Sequence, residues 1–388
     1  MRALRIAIDV TPLQTGHRLR GVGTYVFNLV SQYITWDRQN QYYLFAYPSS
    51  LASLPFADLL PFNFRAIRLP SPCLGRLTPL ITHQFLLPRL LRSLDVDIFH
   101  SPFVSRDISI PGVPAWQPVR TVVTIHDLIP LRFSRELLSR PRKRWFYRWQ
   151  LCAAKHCAHI LCDSESSRKD VIQLVGCHAD QVTAVLLGCD LGYPGNSTVV
   201  NPARLPSDRP YILHVGGDFV NKNVGTLLEA YHKLRTHNLI QHALIMVGAY
   251  HRSNAKLRSR FLSIIDDVVV LKDVSRELLL SLYREASLFV FPSVYEGFGL
   301  PILEAMANKV PVITSNRSSL PEVVGDAAVL VDPLDVDGLA SAILTLLTDN
   351  DLREQFIMRG LQRAREFSWE KTAKATLQVY YAAANQGA

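Results

Sequence analysis

The sequence predicts an α/β protein of two domains, each built on a parallel sheet wrapped by helices. The chain has 388 residues, which is too long for one ordinary domain and suits two. Apolar runs typical of buried strands alternate with helical patterns along its whole length. A stretch rich in turn residues interrupts this alternation between 188 and 210, and the pattern then restarts. Alternation of this kind predicts a parallel sheet in each half.

The first domain is expected at residues 1–190. An apolar run at 4–10 predicts its first buried strand. A loop with Gly21 and Gly23 follows, and then a helix that carries Tyr25 and Val26 on its buried face. Ser164 is predicted to cap a later helix. Further strands are predicted near 42–47, 98–100, 121–125, 159–162 and 182–186.

We place a linker at 191–209, where the turn-rich sequence GYPGNST and two X-Pro pairs occur. The second domain is expected at 210–366 and a closing helical segment at 367–388. Helices are predicted at 336–347 and 352–366. The strands of this domain are predicted at 211–215, 243–247, 268–271, 288–291, 310–314 and 329–331.

Composition narrows the class of partner. The net charge of +9 attracts anions, which include phosphorylated metabolites, nucleic acid and acidic membranes. No zinc-finger spacing or RNA-binding signature is present, so we expect no nucleic-acid partner. The six cysteines form no C-x-x-C pair, and the N-terminus runs directly into a strand. These features predict a cytoplasmic protein with reduced thiols.

The strongest chemical signal is the segment 291–307, FPSVYEGFGLPILEAMA. A strand ends, a glycine-rich loop follows, and Pro301 stands in the first turn of a helix, where its missing N–H is tolerated. The amides around Gly299 and Leu300 and the positive end of the helix predict a diphosphate site. Glu304 is predicted in the first turn, where its carboxylate can accept hydrogen bonds from the hydroxyls of a ribose. Glu296, on the loop, can point to the other end of the ligand.

This segment resembles the E-x7-E signature of the family-four retaining glycosyltransferases. The resemblance implies the GT-B fold, in which two Rossmann-like domains face each other across a cleft and the last helix crosses back to the first domain. It implies that Glu296 contacts hydroxyls of the donor sugar, where we count it as catalytic, and that Glu304 holds the ribose. It also places the loop residues Gly297, Phe298, Gly299 and Leu300 in the donor-binding site.

The turn at 215–223 resembles the glycine-rich turn of the same family, which ends in Arg-Lys-Asn. The resemblance implies that Gly217 lies at the donor and that Lys222 neutralises its diphosphate. A lysine there acts in catalysis because the leaving group gains negative charge in the transition state. Asn221 occupies the position at which relatives carry arginine, and the source of a second positive charge stays open.

Two segments of the first half resemble the family as well. Gly21 and Gly23 match its Gly-Ile-Gly-Arg-Tyr loop, which approaches the diphosphate and the acceptor, and Thr24 replaces the arginine. The third glycine of a dinucleotide fingerprint is absent, so a nicotinamide cofactor is not expected. His126, at the end of a predicted strand, matches a histidine that reaches the donor sugar, and we count it as catalytic. His100 is interpreted as structural.

No metal is expected. Asp95 with Asp97, and Asp335 with Asp337, have the Asp-x-Asp spacing that binds divalent metals in another glycosyltransferase fold. One pair precedes a strand and the other opens a helix, so we interpret them as caps and turns. Lys222 and the helix terminus would replace a metal at the diphosphate.

The expected activity is transfer of a sugar from a nucleoside diphosphate sugar to a hydroxyl of a glycan or lipid-linked acceptor, with retention of configuration. Resemblance to bacterial mannosyltransferases makes GDP-mannose the first choice of donor. Two alternatives stay open: a nucleotide-sugar 2-epimerase, and a non-catalytic donor-binding subunit. Relatives usually carry glycine where Asp273 and Lys309 stand.

The segment 140–150, RPRKRWFYRWQ, is the densest basic and aromatic stretch. As a helix it could rest on an anionic membrane, which would place the protein at the inner face of a membrane. The other interpretation is a helix whose aromatic side chains pack inward while its arginines are solvated.

Overall fold

The computed structural model describes residues 2–15, 21–48, 56, 59–71, 75–105, 107, 112–189, 209–249 and 267–385. The chain divides into two compact units. Unit 1 comprises Met1–Gly188 and Trp369–Ala388, and unit 2 comprises Cys189–Ser368. Apart from Arg209, the expected linker at 191–209 lies outside the described residues.

Unit 1 is built on a seven-stranded sheet in the order β3-β2-β1-β4-β5-β6-β7, and every pairing is parallel. Its strands are β1 Arg5–Asp9, β2 Gln41–Ala46, β3 Phe64–Arg68, β4 Ile98–Ser101, β5 Arg120–Ile125, β6 His159–Cys162 and β7 Val182–Ala184. The sequence did not predict β3. This edge strand exposes Arg65 and Arg68, so it lacks the apolar run that marks the buried strands.

The first long helix of unit 1 buries Tyr25, Val26, Leu29 and Val30, as its apolar periodicity predicts. Ser164 caps a later helix, because its hydroxyl accepts a hydrogen bond from the amide of Ser167. The α-helices are α1 Gly21–Trp36, α2 Thr78–Ile81, α3 Leu87–Ser93, α4 Ile129–Arg132, α5 Ser134–Leu137, α6 Pro141–Lys155 and α7 Glu165–Asp170.

Unit 2 is built on a six-stranded parallel sheet in the order β10-β9-β8-β11-β12-β13. Its strands are β8 Tyr211–Val215, β9 Ala243–Val247, β10 Val268–Leu271, β11 Leu288–Phe291, β12 Val312–Ser315 and β13 Val329–Val331. Its α-helices are α8 Val224–Thr236, α9 Arg276–Glu285, α10 Leu300–Ala307, α11 Leu320–Val324, α12 Val336–Thr348 and α13 Asn350–Ala364. The central strands β8, β9 and β11 are almost fully buried, because helices cover both faces of the sheet.

The closing helix α14, Trp369–Asn385, belongs to unit 1, in agreement with the expected return to the first domain. The hydroxyl of Tyr380 lies 2.6 Å from Nδ1 of His100, and Oγ1 of Thr124 lies 2.8 Å from Nε2 of the same ring. Burial lowers the pKa of His100 to about 3, so the ring is neutral and structural, as predicted.

None of the helices in the described ranges is both long and apolar enough to cross a membrane.

Candidate active site

The loop between β11 and α10 forms the centre of the candidate site in unit 2. Gly299 is the N-cap of α10 with φ of +119°, a conformation that disfavours any side chain. A Cβ at this position would also lie 3.0 Å from Cδ2 of Leu320. Pro301 is in the first turn, as predicted, where it has no N–H to donate, and the amide of Ile302 donates to the carbonyl of Gly299 over 2.9 Å. The positive end of α10 therefore faces the glycine-rich loop.

The prediction that Glu304 lies in the first turn of this helix is wrong. The helix begins at Leu300, directly after the left-handed Gly299, so Glu304 is its fifth residue and lies in the second turn. Its carboxylate cannot serve as a partner for the first amides. It is instead bound from a neighbouring helix, α9.

The side chain of Glu304 is held at both oxygens by α9. The guanidinium of Arg276, at the start of α9, donates to Oε1, and the hydroxyl of Tyr283 donates to Oε2 over 3.0 Å. Tyr283 is fully buried, and this burial raises its pKa well above the ordinary value, so the hydroxyl stays a donor. Each oxygen of an ionised carboxylate accepts more than one hydrogen bond, so Glu304 can still receive a ligand hydroxyl.

Glu296 forms a buried ion pair with Lys222. The Nζ of Lys222 lies 2.7 Å from Oε1 of Glu296, and only 15% and 10% of the two side chains are exposed. The amide of Asn221 donates to the same oxygen over 3.2 Å and to the carbonyl of Tyr295 over 3.1 Å. Asn221 therefore orients the carboxylate where relatives are expected to carry a cation.

Lys222 is positioned by its apolar surroundings as well as by Glu296. Its Nζ lies 4.7 Å from the centroid of the Phe291 ring, within the range of a cation–π interaction. A Cβ on Gly216 would come within 3.1 Å of the lysine stem. An ammonium group has three donors, so one bond to Glu296 leaves Lys222 able to bind phosphate oxygens.

Gly217 has a packing role in this structure. With φ of +78°, its missing Cβ would lie 2.7 Å from the carbonyl oxygen of Ala249. The turn at Gly217 thus packs against the end of β9, where Gly248 makes an equally close approach. The absence of a side chain at Gly217 therefore lets its backbone pack closely against the backbone of Ala249.

The loop of residues 296–299 is fixed by two serines after β12. The hydroxyl of Ser318 donates to the carbonyl of Glu296 over 2.7 Å, and that of Ser319 donates to the carbonyl of Phe298 over 2.8 Å. Phe298 is buried and meets Phe367 edge-on, with ring centroids 5.9 Å apart. Gly297 is also buried. These contacts hold the loop in place from both its backbone and its buried side chain.

The glycines of unit 1 lie differently from the sequence-based expectation. The first long helix, α1, already begins at Gly21, so Gly21 and Gly23 are in its first turn and not in a loop before it. Neither residue has a positive φ. Gly21 is exposed, and a Cβ there would meet nothing within 4 Å. What these residues offer a ligand is the amides of a helix N-terminus.

His126 follows β5 in unit 1 and is bound by protein at both ring nitrogens. Its Nδ1 lies 2.7 Å from Oδ2 of Asp163, and its Nε2 lies 2.8 Å from the carbonyl oxygen of Pro102. The side chain is 14% exposed. The sequence missed Asp163, although it directly follows the predicted strand β6.

The Asp-x-Asp pairs lie in caps and turns, as predicted, and their carboxylates also form ion pairs, which the sequence did not predict. Asp335 caps α12 by accepting from the amide of Gly338 over 2.9 Å. Asp95 adopts a left-handed turn conformation, and Asp97 accepts from the amide of Arg5. Across the ranges given above, no three His, Cys, Asp or Glu side chains are grouped so that they could hold a metal ion.

Sequence reasoning also missed Arg276, Tyr283, Ser318 and Ser319. The two serines lie in the loop directly after a predicted strand, a place where ligand sites form in parallel sheets, and this position could have indicated them. Tyr283 carried no such signal, because a tyrosine within an amphipathic helix is typical of any core.

Comparison with known proteins gives consistent matches over both halves. Residues 19–193 match the family described as Glycosyltransferase Family 4, and residues 198–363 match the one described as Glycosyl transferases group 1. Over 276 residues the chain is 35% identical to O-antigen chain mannosyltransferase B of Escherichia coli, covering 67% of this chain and 70% of that protein.

A second relative is much longer. The chain is 29% identical over 299 residues to the serotype-specific mannosyltransferase WbdA of Escherichia coli, which covers 74% of this chain and 36% of WbdA. Among solved structures, sucrose-phosphate synthase from Thermosynechococcus elongatus has a TM-score of 0.74 at 22% identity, covering 98% of each chain. This likeness confirms the expected fold.

Proposed function

This chain belongs to glycosyltransferase family 4, and from that premise we propose that it is a retaining, metal-independent enzyme that transfers a sugar from a nucleoside diphosphate sugar to a hydroxyl acceptor. The observation that carries the proposal is the grouping of three features in unit 2. They are the Lys222–Glu296 ion pair, the N-terminus of α10, and Glu304 held by Arg276 and Tyr283.

These features fit the three parts of the donor. The ammonium of Lys222 and the positive end of α10 suit a diphosphate, which carries negative charge. The carboxylate of Glu304 suits the vicinal hydroxyls of a ribose. Glu296, on the rigid loop beside Lys222, suits the hydroxyls of the transferred sugar. The spacing of seven residues between the glutamates thus corresponds to the distance from the loop to the second turn of α10.

In the proposed reaction, the bond between the anomeric carbon and the phosphate oxygen breaks as the acceptor oxygen bonds to that carbon on the same face. The acceptor proton passes to the leaving phosphate oxygen. The negative charge that builds on the diphosphate is stabilised by Lys222 and by the dipole of α10. Lys222 is the catalytic residue of this scheme, and the two glutamates orient the donor.

We propose mannose as the sugar, because both relatives described above are named mannosyltransferases. O-antigen chain mannosyltransferase B acts in the assembly of a glycan, as its name states. A mannose-containing glycan or its lipid-linked precursor is therefore the proposed acceptor, and GDP-mannose the proposed donor.

The proposal includes peripheral binding to an anionic membrane through one face of α6. This face consists of Arg142, Arg144, Trp145 and Arg148, all exposed, and Trp145 is 68% exposed. The rings of Trp145 and Trp149 stack in parallel with centroids 6.2 Å apart.

The remaining aromatic residues of this helix, Phe146 and Tyr147, are buried in unit 1. The fifteen-residue helix contains no Asp or Glu. A basic surface with an exposed indole fits the interface of an anionic bilayer, where tryptophan is favoured and cations meet lipid phosphates.

The function is tested by incubating the protein with GDP-mannose and octyl α-mannoside in EDTA. We expect a dimannoside with an α-linkage by NMR, because the donor carries an α-linked sugar and the reaction retains it. Lys222→Met should lower kcat by about 10²–10³-fold, the usual effect of removing one charge-stabilising donor. Donor binding without any transfer to this or another mannoside would favour a non-catalytic donor-binding subunit.

A further inference from the structure

Three neighbouring strands of unit 1 end in a single hydrogen-bonded group. Pro102 follows β4, His126 follows β5, and Asp163 follows β6. The ring of His126 joins the other two, through Nδ1 to the Asp163 carboxylate and through Nε2 to the Pro102 carbonyl. Carboxyl ends of parallel strands are where ligands bind in sheets of this kind, so this group lies at a functional edge.

Both partners of the ring are acceptors. A backbone carbonyl has no proton to give, and an ionised carboxylate accepts only. A neutral imidazole has one N–H, so it can donate to only one of these two oxygens. Its unprotonated nitrogen would then face a lone pair of the other oxygen, which is repulsive. Only a ring that is protonated at both nitrogens satisfies the 2.7 Å and 2.8 Å contacts together.

The proton belongs on the ring and not on the carboxyl group. Carboxyl groups in water ionise near pH 4 and imidazolium near pH 6.5, so the imidazolium–carboxylate form is the stable arrangement of a shared proton. Burial lowers the pKa of His126, but the charge and hydrogen bond of Asp163, together with the charge of Asp127 and the bond to the Pro102 carbonyl, outweigh this effect, and the pKa is raised overall.

The other groups that face His126 agree with a charged ring. Asp127, the next residue, adds negative charge that also raises the pKa of His126. From α1, the ring of Tyr25 meets His126 edge-on at 5.0 Å, and burial holds the pKa of Tyr25 above its ordinary value, so this phenol is neutral. From β4, His100 is neutral, because burial lowers its pKa to about 3. His126 is the only positive charge in this group of described side chains.

We propose that Asp163 is a positioning residue that holds His126 as a fixed, doubly protonated cation joining the ends of β4, β5 and β6, and that His126 does not serve as a proton acceptor. This proposal rests on the proposed function, because it assumes that the ends of β4, β5 and β6 form the surface that binds the hydroxyl acceptor. Removing the acceptor's proton is then left to the departing phosphate, which needs no base on the protein.

The charge state gives activity a specific pH dependence. An enzyme that uses histidine as a base gains activity as the pH rises through the pKa of that histidine. Hydrogen bonds that need a doubly protonated ring, as those of His126 to Asp163 and Pro102 do, are weakened over the same pH range. Because the folded pKa of His126 is raised above the unfolded value near 6.5, its contribution to stability is complete below that pH. The contribution is lost as the pH rises through the pKa of His126 in the folded protein. The alkaline limb of the activity profile therefore measures the loss of the proton that links His126 to Asp163 and Pro102.

The charge is measured directly by NMR of protein with ¹⁵N-labelled imidazole rings, with the His126 signals assigned from His126→Asn. We expect both nitrogens of His126 to be protonated at pH 7.5 in the wild type, and the doubly protonated form to disappear in Asp163→Asn. A neutral ring at pH 7.5 in the wild type overturns the proposal. This measurement needs no donor or acceptor, so it stands or falls separately from the sugar-transfer activity.

Activity then tests the positioning role. Asp163→Asn should lower kcat by about tenfold or more and move the alkaline limb to lower pH, while Asp163→Glu, which restores the carboxylate, should recover part of both. Asp170→Asn is a matched control, because it removes a buried carboxylate that pairs with Arg132 in the same unit. If Asp163→Asn folds with the wild-type melting temperature and pH profile, the proposal is wrong.

Discussion

Lys222 and Glu296 lie 74 residues apart in the chain, yet Nζ of the lysine is 2.7 Å from Oε1 of the glutamate. The pair is largely buried, so each charge depends on the other to offset its lost hydration. A diphosphate that binds Lys222 must share the ammonium with Glu296. The sugar end of the same donor is then brought next to the glutamate, which couples binding of the two parts.

Tyr283→Phe should weaken nucleotide binding. The hydroxyl of Tyr283 is one of two donors that fix the Glu304 carboxylate, and a hydrogen bond to a charged group contributes about 1.5–3 kcal/mol. We expect the KM of the donor to rise by about tenfold with a smaller change in kcat, measured by steady-state kinetics. Tyr211→Phe is the control, because it removes a buried hydroxyl bonded to the carbonyl of Leu282 and leaves Glu304 untouched. Equal effects of the two variants would contradict the assignment.

Lys309→Gly should stabilise the protein. Lys309 has a φ of +62°, a left-handed conformation that costs a side-chain-bearing residue about 1 kcal/mol relative to glycine. We expect a gain of that size in the free energy of unfolding of unit 2, measured by urea denaturation. Lys309→Ala keeps the strain and should give no such gain. A loss of stability in Lys309→Gly would show that the lysine side chain makes a compensating contact.

Stability should fall between pH 7 and pH 5. Burial lowers the pKa of His100 to about 3 and that of His214 to about 4, whereas both bind a proton near pH 6.5 when the chain is unfolded. In this window the unfolded chain takes up more protons, so each group costs up to about 1.4 kcal/mol per pH unit.

Melting temperatures at the two pH values test this dependence. His214→Phe should reduce the decrease in Tm on acidification, and the exposed His237→Gln should not. A Tm that is unchanged or higher at pH 5 would contradict the neutral state of both rings.

Trp145→Ala should weaken binding to anionic vesicles. The exposed indole adds apolar area to a basic helix face, and the loss of either component lowers affinity for the interface. We expect the wild type to sediment with phosphatidylglycerol vesicles at low salt but not with phosphatidylcholine vesicles. Trp145→Ala and the triple change of Arg142, Arg144 and Arg148 to Gln should each reduce this. Leu334→Ala, at an exposed apolar residue of unit 2, is the control. Equal binding to phosphatidylglycerol and phosphatidylcholine vesicles would show that the basic face of α6 does not bind membranes through its charge.

The sequence indicated most of the strands because each buried strand is marked by a run of apolar residues within its own segment. Five strands of unit 2 were predicted to the residue. The inner strands β8, β9 and β11 are the clearest, since helices bury both of their faces and leave continuous apolar runs. The edge strand β3 has exposed residues on both faces and was missed. The start of α10 was placed too late relative to Glu304, because a left-handed Gly299 ends the loop one residue earlier than Pro301 suggested.

Site residues that lie within a sequence motif could be predicted, and those outside any motif could not. Glu296, Glu304 and Lys222 stand in recognisable segments, but their partners do not. Asp163 lies 37 residues from His126, and Tyr283 lies 21 residues from Glu304. Such contacts depend on how strands and helices pack, which no local pattern records. Asp273 and Lys309 both have a positive φ, a conformation that favours glycine, which agrees with the expectation that relatives carry glycine at these positions.

The most direct test of the central claim is isothermal titration calorimetry of the purified chain with GDP-mannose, UDP-glucose and ADP-glucose in EDTA. We expect one nucleotide sugar to bind without metal. Binding should be lost in Lys222→Met and Glu304→Gln and kept in Glu285→Gln, which changes an exposed glutamate on α9. Absence of binding by any nucleotide to the folded wild type, or binding that survives both site variants, would contradict the donor site proposed in unit 2.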